Sequence, residues 1–197
     1  MLSGLQKPSL GEIKICGQNI EDYSLPDLRK TVLFCQQESV FLSVSIKENL
    51  DLGGNFTDQE RTKVLSQAQL EQDILEFENG VNTQIGEHGY KLSGGQKQRL
   101  SLARTLLRSN RPETKIILLD DIFSALDHET EQLIIRGFNE VKHSVVIATH
   151  RSSILKTCDR VIFFDHEGRL LENTSDQKII LQRLQEIDQS SPKETKS

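Results

Sequence analysis

Cysteine is scarce: three in 197 residues. Cys16, Cys35 and Cys158 stand far apart, without the spacing of a zinc or iron–sulfur site, so a disulfide framework and a cysteine metal site are both excluded. They read as reduced, partly buried thiols of a cytosolic protein. Long apolar runs are missing as well. No stretch reaches the ~18 residues that a spanning helix needs, and no signal peptide is visible. Any link to a membrane must therefore come through a partner or through a segment outside this chain. Basic residues are not in excess. The net charge is −5, with acidic and basic side chains mixed along the chain, which excludes a general nucleic-acid or polyanion binder. There is no internal repeat. The length suits one domain, in one lobe or two, with ample core.

The chain does hold a series of apolar strands alternating with helical patterns. Gly11 to Gly17 alternates apolar and polar residues and reads as a half-exposed strand. Residues 25–30 read as a short helix, 31–36 as a strand and 57–77 as a long amphipathic helix. Residues 93–108 form a further helix, 115–121 an apolar strand ending in two acids, and 128–139 a helix. Apolar strands follow at 144–150 and 160–165, and a last helix begins near Asp176. The end of the chain, QSSPKETKS, reads as disordered. Apolar strands separated by helices indicate a parallel sheet covered on both faces. In such a sheet, ligands gather at the carboxyl ends of the strands. Asp120 and Asp121 end one strand and His150 ends the next.

KLSGGQKQRLSLARTLL, Lys91 to Leu107, is the most informative stretch. Ser93 is a good N-cap. Gly94 and Gly95 remove side-chain bulk where the backbone must approach something closely. Leu100, Ala103, Leu106 and Leu107 then fall on one helical face. A helix start of this kind offers free N–H groups and the positive end of a dipole to an anion. Taken alone, SGG is equally an ordinary turn before a capped helix. Taken alone, Asp120 and Asp121 could be a Mg²⁺-holding strand end, two solvated acids, or the acidic pocket of a phospho-accepting receiver domain.

The full string LSGGQKQRLSLAR resembles the signature motif of the ATP-binding cassette (ABC) family. The order of the remaining motifs agrees. Ile116 to Leu119 followed by Asp120 and Asp121 resembles Walker B, Ser124 to Asp127 (SALD) matches the D-loop, and His150 matches the switch histidine that senses the γ-phosphate. FCQQESVFLSVSIKENL resembles the Q-loop segment and places its glutamine at Gln37, next to Gln36. NTQIGEHG, 82–89, resembles the TxxGExG loop of exporters, with His88 where Arg is common. The resemblance runs from residue 1 to about 175. It implies a P-loop NTPase-like (RecA-like) α/β fold: a parallel sheet flanked by helices, with an inserted helical signature subdomain at about 55–108. Residues 176–197 add a helix and tail.

The resemblance also implies roles. Asp121, His150 and Gln37 would be catalytic. Ser93, Gly94, Gly95, Gln96, Ser124 and Asp127 would bind nucleotide, and Asp120 with Gln37 would hold Mg²⁺. ATP and Mg²⁺ are the implied cofactors. The implied partners are a second cassette and the transmembrane domain of an exporter, with no nucleic acid. The location would be the cytoplasmic face of the cell membrane.

Two features depart from the family pattern. The string G-x-x-x-x-G-K-[ST], whose backbone and Lys cradle phosphates, is not found in this sequence. MLSGLQKPSLGEI resembles the segment just after that loop. The chain is therefore expected to be incomplete at its N-terminus, as a C-terminal fragment or a late-start reading frame. The second departure is Asp121, where the family usually has Glu. Asp retracts the carboxylate by over ~1 Å, enough to cost on the order of 10²-fold in rate. Such a change resembles the degenerate site of heterodimeric exporters, although a homodimer stays open. Two other readings compete: a non-catalytic or regulatory cassette that lends its signature to a partner, and a soluble cassette acting on DNA or ribosomes.

Without the phosphate loop, this chain by itself is expected neither to bind Mg-ATP tightly nor to hydrolyse it. Isothermal calorimetry checks this, and micromolar binding to the purified chain would overturn it.

Overall fold

A computed structural model describes residue 4 and residues 6–190 of the chain. The chain divides into two compact units, Met1–Ala148 and Thr149–Ser197.

In the first unit, β1 (Lys14–Ile15) and β2 (Gln18–Asn19) form a small antiparallel hairpin. Helix α1 (Leu25–Thr31) starts at Ser24, whose hydroxyl accepts from the Asp27 N–H. Strand β3 (Val32–Cys35) follows, then α2 (Ile46–Asp51), α3 (Asp58–Gln67) and α4 (Glu71–Glu76). The long helix α5 (Gly94–Ser109) leads into β4 (Ile116–Asp120), α6 (His128–Gly137) and β5 (Ser144–Ala148). Strands β3, β4 and β5 make a parallel sheet with β4 in the middle. This is the α/β fold, with a parallel sheet and flanking helices, that the sequence implied.

Alternation along the strands sends successive side chains to opposite faces of the sheet. On one face, Val32 and Leu118 join Ile15, Ile20 and Leu28 in an apolar cluster. On the other, Cys35, Ile117 and Leu119 are buried, and Cys35 Sγ lies 3.2 Å from Ser101 Oγ of α5. The predicted apolar face of α5 is buried: Leu100, Ala103 and Leu107 are fully enclosed, and Leu106 nearly so. Each such leucine contributes roughly 1.5–3 kcal/mol relative to exposure.

The second unit holds α7 (Ser152–Leu155), the antiparallel pair β6 (Val161–Phe164) and β7 (Leu170–Thr174), and α8 (Gln177–Ser190). Val161 and Phe163 pack with Ile180 and Leu184 of α8.

Several elements differ from the sequence-based expectation. The strand at 160–165 pairs antiparallel with β7, a strand the sequence reading missed, rather than adding to the parallel sheet. Its apolar run looked buried on both faces, but Ile162 and Phe164 are exposed. The single helix expected at 57–77 is two. Gln69 adopts φ 55° between them, which lets Ala68 and Leu70 both turn into the core. The strand expected at 11–17 is shortened to the hairpin. Of the three thiols, Cys35 is buried and Cys158 half-buried, but Cys16 is exposed. Helix α8 runs through Ser190, and the rest of the expected disordered tail lies outside the described residues, as do residues 1–3 and 5.

α2 and α3 are clamped together by one cation. Arg61 donates from Nε and Nη2 to both oxygens of Asp51, each at 2.8 Å, and from Nη1 to Asp58 at 2.7 Å. Arg61 and Asp51 are nearly enclosed, whereas the Asp58 side chain is 90% exposed. Removing one partner of an enclosed pair strands the other charge. Asp51→Ala is therefore expected to lower the unfolding free energy by about 3 kcal/mol. Asp58→Ala is expected to cost under about 1 kcal/mol. Urea denaturation of the two variants measures the difference.

Candidate functional site

The start of α5 is built by its own sequence. Ser93 is the N-cap, with its hydroxyl accepting from the Gln96 N–H at 3.2 Å. Gln96 answers with Oε1, which accepts from the Ser93 N–H at 2.9 Å. This reciprocal pair fixes the helix start and leaves the N–H groups of Gly94 and Gly95 at its positive end. Gln96 also donates through Nε2 to Asp73 Oδ1 at 2.8 Å, and Arg99 Nη1 binds Asp73 Oδ2 at 2.7 Å. Thus α4 holds the cap from the side.

The loop that follows β4 lies directly against this helix start. A Cβ added at Gly95 would sit 3.1 Å from the Ala125 carbonyl oxygen, closer than side chains normally approach. At Gly94 it would meet only the Ala125 methyl, at 3.6 Å. A side chain at Gly95 would therefore press on this loop, and one at Gly94 would not.

Asp120 ends β4 and is exposed. Asp121 follows in the left-handed region, φ 43°, a conformation that Asp tolerates better than most residues. Its N–H donates to the Ala148 carbonyl at the end of β5, at 3.0 Å. Its carboxylate Oδ2 accepts from Gln37 Nε2 at 3.0 Å. Gln37 lies just past β3, so three parallel strands converge on this acid from their carboxyl ends. Gln37 itself is exposed.

Ser124 Oγ donates to the Asp121 carbonyl at 3.0 Å. Asp127 is the N-cap of α6: its Oδ1 accepts from the Thr130 N–H at 2.9 Å and its Oδ2 from the Thr130 hydroxyl at 2.7 Å. The Thr130 backbone bond, with the hydroxyl bond beside it, holds this carboxyl below its ordinary range. Its oxygens thus already have a structural role.

The first unit therefore brings together Gln37, Asp121, Ser124 and the Ser93–Gln96 helix start, with Asp120 and Asp127 on the same strand end and loop. His150 belongs to the second unit, where it is exposed just past β5. A cleft of about 290 Å³ opens among Gln37, Gly94, Lys97 and Ala125, with His88 on its rim. Lys97 offers positive charge beside the helix start. His88 takes φ 50° in a segment where Gly86, at φ 73°, is bound to be glycine: a Cβ there would fall 2.0 Å from the Tyr90 ring.

Among the described residues no cluster of three or more His, Cys, Asp or Glu could cage a metal. Mg²⁺ does not require such a cage. It commonly takes one or two carboxylates, with waters and phosphate oxygens completing its shell. Asp120 and the Gln37 carbonyl are hard oxygen donors of that kind, so the residues fit the ion.

Sequence reasoning missed the residues that hold the site in place. Arg104 of α5 is half-buried, and that burial, with the Arg108 cation nearby, lowers its pKa to about 10, so it stays charged at neutral pH. It donates to the carbonyls of Asn49 at 2.9 Å and Val40 at 3.1 Å and lies 4.8 Å over the Phe41 ring. It ties the segment after Gln37 to α5. A second cleft, about 330 Å³, lies at the amino end of the sheet, lined by Leu33, Leu52 and Phe56 with Arg29, Arg108 and Arg111. Only the contacts reveal these roles, because basic residues on an amphipathic helix otherwise read as a solvated face.

The comparisons with known proteins agree with this geometry. The family described as "ABC transporter" matches residues 1–124. The chain is 35% identical over 169 residues to a multidrug resistance ABC transporter ATP-binding and permease protein of Lactococcus lactis, covering 84% of this chain and 28% of that protein. It is 36% identical over 173 residues to a putative multidrug export ATP-binding/permease protein of Staphylococcus aureus, covering 86% of this chain and 29% of that one. Against ABC transporter B family member 21 of Arabidopsis thaliana it is 35% identical over 176 residues, 88% of this chain and 13% of that one. The chain thus spans under a third of these relatives. A solved bacterial Atm1-family ABC exporter with ATP bound superimposes with a TM-score of 0.86 at 31% identity, over 96% of this chain and 34% of that chain.

The two glycines of the helix start are expected to separate in a stability assay. Gly94→Ala gains helix propensity of up to about 0.5 kcal/mol without a clash. Gly95→Ala must displace the Ala125 carbonyl and should be about 1 kcal/mol less stable than Gly94→Ala. Thermal unfolding of the two proteins measures it.

Proposed function

The chain belongs to the ABC transporter family, and we propose that it works as the nucleotide-binding cassette of an exporter. In this reading, ATP binding and hydrolysis at a dimer interface drive export by a transmembrane partner at the cytoplasmic face of a membrane. The observation that carries the proposal is the packing of an anion-ready helix start, Ser93 to Gln96, against the loop that leaves the paired acids Asp120 and Asp121. The exporter relatives support the choice of transport over a soluble role.

The proposed roles follow from the chemistry of each group. Ser93 and the N–H groups of Gly94 and Gly95 would hold the phosphates of a nucleotide carried mainly by the second cassette, with Gln96 fixing their geometry. Asp120, with the Gln37 carbonyl, would hold Mg²⁺, which supplies positive charge to the phosphate oxygens. Asp121 would accept a proton from the attacking water, His150 would contact the terminal phosphate, and Ser124 and Asp127 would shape the facing loop. At the far end of the sheet, the cleft of Leu33, Leu52, Phe56 and three arginines suits a protein segment with an acidic side chain. We assign the membrane partner's contact there.

A second reading is favoured by Asp121. Its short carboxylate is held by Gln37 rather than left to reach outward. This chain would then belong to an asymmetric pair, completing the partner's competent site while its own acid serves a slow one.

One experiment tests both. In the assembled transporter containing this chain, Ser93→Ala or Gly94→Asp is expected to lower ATP turnover by about 10²-fold or more, as loss of a transition-state donor does. Asp121→Glu is expected to change turnover less than about twofold if the pair is asymmetric. A rise from a few per cent to full activity would instead mark Asp121 as a plain defect, and an unchanged rate in the Ser93 and Gly94 variants would refute the cassette role.

A further inference from the structure

One side chain reaches from α5 across to the loop after β4. Gln98 lies in the second turn of α5, half-buried, and both ends of its amide are engaged on the loop after β4. Its Nε2 donates to Ser124 Oγ at 2.8 Å, and its Oε1 accepts from the Ala125 N–H at 3.0 Å. Ser124 Oγ passes the contact on by donating to the Asp121 carbonyl at 3.0 Å. The amide therefore connects the rigid body of α5 to the backbone of Asp121 through two hydrogen bonds in series.

Asp121 has reason to need such a strut. Its left-handed backbone is a conformation that side-chain-bearing residues adopt at a cost and keep only when surroundings impose it. Contacts to its N–H, its carboxylate and its carbonyl impose it here, the carbonyl also accepting from the Ser124 N–H at 3.4 Å. The Asp121 N–H is tied to Ala148, the carboxylate to Gln37, and the carbonyl to the Gln98–Ser124 relay. The first two come from the sheet side. The third alone comes from the helix whose start faces the anion. Close approach of Gly95 to the Ala125 carbonyl leaves the loop no slack toward α5, so a shift of the helix start must be felt in the loop.

We infer that Gln98 is a positioning residue that couples the anion-facing start of α5 to the placement of Asp121. Glutamine suits the task because the bridge requires a donor and an acceptor on one planar group. Glu keeps the acceptor for Ala125 and loses the donor to Ser124, whereas Leu keeps the length and loses both.

The first arm of the test uses this chain alone and amide hydrogen exchange read by NMR. In Gln98→Leu the Ala125 N–H is expected to exchange about tenfold faster, the scale of one lost hydrogen bond. The amides of Ile117 and Leu119 in β4 should keep their rates. In Gln98→Glu the Ala125 amide should stay near its original rate. An unchanged Ala125 rate in Gln98→Leu overturns the inference, and so does an equal rise in β4, which marks general loss of stability. The second arm rests on the cassette reading and uses the assembled transporter. Gln98→Leu is expected to lower kcat for ATP about tenfold or more with KM unchanged, since a misplaced acid affects the chemical step. A raised KM with kcat unchanged overturns it. If the unaltered transporter hydrolyses no ATP, the cassette reading fails, while the exchange arm still decides the role of Gln98.

Discussion

Everything in the first unit depends on the burial of one face of α5. Leu100, Ala103, Leu106 and Leu107 are buried along one face of the helix, which packs against β3, α2 and α3. Once that face is fixed, the remaining side chains have fixed directions too. The start of the helix is delivered to the loop after β4. Gln98 meets Ser124, Arg99 meets Asp73, and Arg104 meets the carbonyls of the segment after Gln37. A helix with this much apolar surface cannot slide without exposing it, so polar contacts made at its edges are held in register. The site thus inherits its geometry from packing.

The same helix explains how weak interactions add up to a defined site. No hydrogen bond around Asp121 is individually large; each is worth of the order of 1 kcal/mol in net terms. Together they hold a backbone conformation that an isolated Asp would seldom adopt. The helix start is organised in the same way. Ser93 and Gln96 satisfy each other's backbone donors, which leaves the following N–H groups free to receive an anion. In both places the protein fixes its polar groups in advance of any ligand, the kind of arrangement that needs no reorganisation when a ligand arrives.

Much of the site was legible in the sequence, for a physical reason. Motifs such as LSGGQ are short, continuous and governed by local rules: a hydroxyl at the N-cap, glycine where the backbone must come close, an acid at the end of an apolar strand. Ser93, Gly95, Asp120 and Asp121 could each be picked out on those grounds. The bridging residues could not. Gln98, Asp73 and Arg104 act on residues far away in sequence, and nothing in their own neighbourhoods distinguishes them from solvated polar side chains. Asp127 stands in SALD, and its carboxylate also caps α6, a role that the pattern D-x-x-T carries.

The sequence by itself determined the alternation of strands and helices, the apolar face of α5, the capped helix start and the acids at the end of β4. These follow from periodicity and local hydrogen bonding, which a single chain segment expresses whatever surrounds it. Only the tertiary structure decided that Gln37 would meet Asp121, that Gln98 would join the helix start to the acid's loop, and that Gln69 would break one helix into two. It also decided that the strand at 161–164 pairs with 170–174 and not with the parallel sheet. Those outcomes depend on which surfaces remain to be buried within each unit, and that is a property of the packed unit rather than of a local run of sequence.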